Sequence, residues 1–169
     1  LPEKLNGMWA FVIFDKKQDR LFISRDRFGK KPFYYSFQQG VFVFASELKA
    51  VLQHPAVKRE IEEQSLHQYF AYGYIPAPYS IISNVYKLEA GCNMQVDLKD
   101  NTNQLSRYWR FTHSPVAVAD EATAQHDLRT VLYNAVARRL VADVPVGIFL
   151  SGGVDSSVVA ALATQAAGA

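Results

Sequence analysis

Short apolar runs separated by polar turns fill the front of this chain, the pattern of brief strands rather than long helices. Residues 8–14, Met-Trp-Ala-Phe-Val-Ile-Phe, are apolar throughout and predict a strand that both faces can bury. Residues 15–20 predict a hairpin turn and residues 21–24 the returning strand. A charged loop with Gly29 follows over 25–32. Residues 33–37 and 41–45 then predict a second hairpin around Gln38, Gln39 and Gly40. Ser46 is placed to cap a short helix over 47–53 that ends before Pro55. Leu66, Tyr69 and Phe70 recur at helical spacing after Ser65, predicting a second helix to about Tyr72. Pro76 and Pro78 make 74–80 a loop. Residues 93–98 and 104–109 predict a third hairpin.

The pattern changes after Phe111. Residues 112–119 carry a proline and no period, and read as a linker. From Asp120 a helical stripe appears, formed by Leu128, Val131, Leu132, Ala135, Val136 and Leu140. Pro145 precedes an apolar run at 146–150, predicted as a buried strand. An alanine-rich run at 158–167 predicts a final helix. The chain therefore divides at 111/112 into a strand-rich part, 1–111, and a part of helix, strand, loop and helix, 112–169.

Composition limits the function classes. Nearly half of the 169 residues are apolar, enough for a packed core. A net charge of +2 does not indicate a nucleic-acid partner. Lys16, Lys17, Arg20, Arg25, Arg27, Lys30 and Lys31 cluster, but Asp15, Asp19 and Asp26 are interleaved with them, the mark of a solvated face. Within the Arg25-Asp26-Arg27 turn, the arginines are expected to pair with nearby carboxylates. A single cysteine, Cys92, excludes an intrachain disulfide and fits a reducing, cytoplasmic setting. It is expected to be a packed bystander. His54, His67, His113 and His126 show no metal-ligand spacing. No run is long and apolar enough to span a membrane as a helix. The first residue is Leu1, and the chain is expected to be a piece of a longer protein.

The run Ser151-Gly152-Gly153-Val154-Asp155-Ser156-Ser157 carries the chemistry. A glycine turn leading into a helix leaves several backbone N–H groups free at the helix start. The helix dipole adds roughly half a positive charge there. Glycines let an anion approach the backbone, and Ser151, Ser156 and Ser157 add hydroxyl donors. The Gly-Lys-Ser/Thr ending of a Walker loop is absent, and Asp155 stands in the first turn. Beside a phosphate, that acid points to a shared Mg²⁺; without one, it complements the helix dipole.

This run resembles the pyrophosphate loop of the N-type ATP pyrophosphatases. The longer stretch Asp143-Val-Pro-Val-Gly-Ile-Phe-Leu-Ser-Gly-Gly-Val-Asp-Ser-Ser157 is similar to that of glutamine-hydrolysing asparagine synthetases. Three earlier blocks resemble the later strands of that family's class II amidotransferase domain: Leu5-Asn-Gly-Met-Trp-Ala-Phe11, Arg25-Asp-Arg-Phe-Gly-Lys-Lys-Pro-Phe-Tyr-Tyr35 and Phe44-Ala-Ser-Glu-Leu-Lys-Ala50. Tyr72-Gly-Tyr-Ile-Pro-Ala-Pro78, Lys87-Leu88 and Arg107-Tyr-Trp109 resemble the stretch that joins the two domains.

The resemblance implies an α+β part followed by an α/β part. The first is the second half of an N-terminal-nucleophile αββα glutaminase sandwich. The second is the opening helix-strand-loop-helix of an adenine-nucleotide α-hydrolase-like parallel sheet, incomplete here. It implies a parent that uses ATP and Mg²⁺ to adenylate aspartate and then amidates it with ammonia from glutamine, with a homodimer as the expected assembly. Leu150, Ser151, Gly152, Gly153, Asp155, Ser156 and Ser157 are implied to hold ATP or its pyrophosphate, with Asp155 toward Mg²⁺. The family's nucleophile is an amino-terminal cysteine, which this chain lacks. No catalytic residue is therefore assigned, and the chain alone is expected to be inactive. Relatives acting on another carboxylate, closing β-lactam rings, or serving only as interaction modules remain open alternatives.

Overall fold

The computed structural model describes residues 1–115 and 120–168. They form two compact units, Leu1–Thr112 and His113–Ala169. The proposed linker at 112–119 lies partly outside the described residues.

The first unit follows the strand pattern closely. Strands β1 (Ala10–Asp15) and β2 (Arg20–Arg25) form the first hairpin, and β3 (Tyr34–Gln38) and β4 (Val41–Ala45) the second. Gln39 and Gly40 both take positive φ, 52° and 72°, as a two-residue hairpin turn requires. A short helix α1 (Leu48–Val51) and a longer α2 (Glu63–Tyr72) follow. Then come β5 (Val85–Lys87), β6 (Cys92–Asp97) and β7 (Thr102–Arg107). Two antiparallel sheets result, ordered β1-β2-β6-β7 and β4-β3-β5.

The two-residue period of a strand decides which side chains meet. Along β6, Cys92, Met94 and Val96 are buried while Gln95 between them is exposed. They pack with Ile23 of β2, Tyr35 of β3, and Phe33 and Leu88, which adjoin β3 and β5. The opposite face of the smaller sheet turns Tyr34, Val43 and Ala45 toward α1, where Val51, Val57 and Val85 form a second cluster. The layers are thus sheet, sheet and a short helix cover.

Three local expectations change. The N-cap of α1 is Glu47 rather than Ser46, and no side chain caps it. Helix α2 starts two residues before Ser65, which is buried inside it. Strand β5 has no counterpart in the sequence reading.

The second unit is a helix pair, α3 (Glu121–Ala137) and α4 (Val154–Ala167). Asp120 caps α3: its carboxylate accepts from the Thr123 N–H at 2.8 Å and from the Thr123 hydroxyl at 2.9 Å. These bonds hold the Asp120 carboxyl below its ordinary pKa. Gly168 closes α4 in the left-handed conformation. Leu162 and Ala163 are buried, and Arg129 donates to Gln165 at 3.4 Å. The predicted strand at 146–150 is not formed. Strand geometry needs a neighbour to take its backbone groups, and none pairs with it among the described residues. Phe149 is fully exposed there.

Candidate functional site

The glycine run forms the turn that starts α4. Gly152 adopts φ +81°, a backbone state that glycine enters without strain. Gly153 is the N-cap, extended at φ −79° and ψ 162°. The first helical bond runs from the Ser157 N–H to the Gly153 carbonyl at 3.1 Å. The N–H groups of Val154, Asp155 and Ser156 precede that bond, so helix geometry leaves them without intrahelical acceptors. They point out of the helix start, where the dipole is positive.

The serines are arranged around the same turn. The Ser151 and Ser156 hydroxyl oxygens are 3.1 Å apart. Ser156 and Ser157 each donate to the Gly153 carbonyl, at 3.0 and 2.8 Å. Asp155 is exposed in the first turn of α4. Leu150 enters the turn with 64% of its surface exposed. The turn therefore brings together Ser151, Gly152, Gly153, Asp155, Ser156 and Ser157, with Leu150 adjoining. The sequence reading omitted Val154, whose contribution is its backbone N–H. Such a donor has no side-chain signature; only its place after the glycines marks it.

The turn offers an anion three amides and a favourable dipole, with the Ser151 hydroxyl beside them, while the Ser156 and Ser157 hydroxyls donate to the Gly153 carbonyl. No group of three or more His, Cys, Asp or Glu side chains suited to a metal occurs among the described residues. Asp155 is one exposed oxygen donor. That suits Mg²⁺, which takes one or two carboxylates and completes its shell with water and phosphate.

In the first unit, the charged turn at 25–27 has a different role from the expected ion pairs. Asp26 is 2% exposed. One of its carboxylate oxygens accepts from the Phe28 and Lys30 N–H groups at 3.2 and 3.0 Å. The other accepts from Lys31 at 3.0 Å and Trp9 at 3.3 Å. The Arg25 guanidinium donates to the carbonyls of Lys31, Gly29 and Leu88. Burial lowers its pKa, with Asp26 opposing that shift. Arg27 donates to the Leu5 carbonyl at 2.8 Å and lies over the Trp9 ring. Neither arginine pairs with a carboxylate among the described residues. The charges close a backbone knot where β1, β2, β3 and β6 begin or end.

Cys92 is 5% exposed within the core, and burial raises its thiol pKa, so its thiolate is disfavoured. Trp109 packs against Phe28, with ring centres 4.9 Å apart. No helix among the described residues is long and apolar enough to cross a membrane.

Comparison with known proteins places both units. Residues 1–109 match the family model described as "Glutamine amidotransferase domain", and residues 127–168 match "Asparagine synthase". The chain is 45% identical over 160 residues to "Putative asparagine synthetase [glutamine-hydrolyzing] 2" of Methanocaldococcus jannaschii, covering 93% of the chain and 31% of that protein. It is 37% identical over 161 residues to "Asparagine synthetase [glutamine-hydrolyzing] 3" of Bacillus subtilis, covering 95% and 26%. A "Putative asparagine synthetase [glutamine-hydrolyzing]" of Mycobacterium tuberculosis is 35% identical over 168 residues, covering 96% and 26%. The chain thus spans about a quarter to a third of the length of these relatives. On the match across its strand-rich unit, the chain belongs to the glutamine amidotransferase domain family, and it continues into a segment similar to asparagine synthase.

Proposed function

We propose that this chain is the junction of a glutamine-hydrolysing asparagine synthetase, with residues 1–111 completing its amidotransferase domain and residues 112–169 opening its synthetase domain. The observation that carries the reading is the turn at the start of α4. It presents the free amides of Val154, Asp155 and Ser156 and the serine hydroxyls to an anion. The match to a glutamine amidotransferase domain, followed by one to asparagine synthase, supports the same reading.

In this reading the turn binds the pyrophosphate portion of ATP. The amides and dipole stabilise charge that grows on the pyrophosphate as it leaves. The Ser156 and Ser157 hydroxyls, now donating to the Gly153 carbonyl, rotate to donate to phosphate oxygens. Mg²⁺, when bound, neutralises phosphate charge; Asp155 is the residue that would hold it. In the same reading aspartate is activated as an adenylate, and ammonia from glutamine displaces AMP to give asparagine. An unactivated carboxylate is a poor electrophile, and AMP is a good leaving group. The chain itself supplies no glutaminase nucleophile, since Cys92 is buried in the core.

The test uses the full-length polypeptide that carries these residues, supplied with glutamine, aspartate, ATP and Mg²⁺. The expected products are asparagine, AMP and pyrophosphate. Asp155→Ala should abolish AMP and pyrophosphate release while glutamine hydrolysis persists. Undiminished pyrophosphate release by that variant would contradict the assignment of the loop.

A further inference from the structure

Asn6 is one of six asparagines and the one that precedes a glycine. Such a pair carries its own reaction, attack of the glycine nitrogen on the asparagine side-chain amide. In a folded chain the reaction needs a backbone free to bend and a glycine N–H that nothing holds. The fold leaves Asn6 and Gly7 free between two fixed points. On one side, the Leu5 N–H donates to the Pro2 carbonyl at 3.1 Å, and the Leu5 carbonyl accepts from Arg27 at 2.8 Å. On the other, the Trp9 backbone N–H donates to Asp26 at 3.3 Å and its indole N–H to the Ser24 hydroxyl at 3.0 Å. Asn6 and Gly7 are exposed and lie in no helix or strand. Neither the Gly7 N–H nor the Asn6 side chain makes a hydrogen bond among the described residues. Gly7 adopts φ +126°, with open space where a β-carbon would stand. No bond has to break before the nitrogen can attack, and no side chain crowds it.

The other asparagines are held. Asn93 and Asn103 lie in β6 and β7, and Asn134 lies within α3. Asn84 and Asn101 precede Val85 and Thr102, whose branched side chains crowd the attacking nitrogen.

We propose that Asn6 is a site of spontaneous modification, converted to aspartate and isoaspartate without an enzyme. The Gly7 nitrogen loses its proton to solvent and bonds to Asn6 Cγ. The bond from Cγ to the side-chain nitrogen breaks, ammonia leaves, and a succinimide ring remains. Water then opens the ring. Addition at Cγ breaks the new bond and gives aspartate. Addition at the Asn6 backbone carbonyl breaks the original peptide bond and gives isoaspartate, with the chain rerouted through Cβ. Each conversion consumes a water and releases an ammonia. Either product sets a carboxylate beside Leu5, whose carbonyl holds Arg27. Isoaspartate also adds a methylene to a span tied at both ends.

Ageing the purified chain at neutral and mildly alkaline pH tests this, with peptide masses and isoaspartyl methyltransferase labelling read after digestion. Labelling is expected first in the peptide that carries Asn6, and sooner at the higher pH, because the nitrogen must lose its proton. Asn6→Gln, at an exposed position, should fold normally and abolish that labelling, since the longer side chain closes its ring far more slowly. Ageing in urea isolates the contribution of the fold. Asn6 should react in the folded chain within about tenfold of its unfolded rate, whereas folding should slow Asn93 far more. Labelling that appears first at another asparagine, that persists in Asn6→Gln, or that folding suppresses as strongly at Asn6 as at Asn93 would overturn the proposal.

Discussion

Gly91 lies against the carbonyl of Trp109 so closely that no β-carbon fits between them. Gly91 also adopts φ +65°, and its own carbonyl accepts from the Tyr108 and Trp109 N–H groups at 2.9 and 3.2 Å. Its N–H donates to the Asp26 carbonyl at 3.0 Å. One glycine thus joins the entry to β6, the exit from β7 and the buried knot. Gly91→Ala would combine left-handed strain with a backbone clash, a cost of about 2–4 kcal/mol. Urea denaturation of the purified chain should show it; a loss below about 0.5 kcal/mol would mean that the close approach is relaxed in solution.

Asp26 carries the second prediction. Its carboxylate accepts four backbone N–H groups, a role that an amide nitrogen cannot share because it only donates. Asp26→Asn sets donors against donors and should destabilise the first unit by about 2–4 kcal/mol. Arg27→Gln should cost less, because Arg27 is part-exposed and tied mainly to one carbonyl. Comparable losses from both substitutions would remove the special role of the buried carboxylate.

Alkaline pH isolates Tyr35. Burial first, then the neighbouring Tyr86, Glu89 and Cys92, push its pKa up to about 12 from an ordinary value of 10. The folded state therefore holds a proton that the unfolded chain has lost between those values. The stability this provides is complete below about pH 10 and falls as pH rises toward 12. Urea midpoints should decline over that window and decline less in Tyr35→Phe. Absorbance at 295 nm should show a tyrosine titrating well after the ordinary ones. Identical alkaline profiles for both proteins would contradict the buried placement.

Much of the first unit was legible because its strands announce themselves. Alternation along β6, the apolar run of β1 and the Gln39-Gly40 turn each follow from local chemistry. Strand β5 escaped notice because Val85-Tyr86-Lys87 is too short to show a period; its pairing with β3 comes from tertiary contact. The Arg25-Asp26-Arg27 turn misled for another reason. Sequence shows opposite charges, whereas the structure satisfies them with backbone groups that every residue carries. At 146–150 the apolar pattern misled: it predicts a buried strand, but hydrogen bonding to a neighbour makes a strand, and no neighbour pairs there among the described residues. The glycine turn into α4 was legible because glycine and N-terminal serines act locally, whereas the Val154 amide was not, because a backbone donor has no side-chain signature.

The two units should differ in protection. Ile23, Met94 and Val96 are fully buried, while Leu128, Val131, Phe149 and Val158 of the second unit are well exposed. Local opening follows contact density. Hydrogen exchange should therefore protect β2 and β6 longest and release α3 and α4 earlier. Slower exchange in the helices than in β6 would contradict this order.

The α4 turn is the centre of the account, and calorimetry of pyrophosphate binding in the presence of Mg²⁺ tests it most directly. The chain should bind pyrophosphate, and the double variant Asp155→Ala, Ser156→Ala should bind it at least about tenfold more weakly, the loss expected from removing one carboxylate ligand of Mg²⁺ and one hydroxyl. Equal affinity of the chain and the variant would contradict the account.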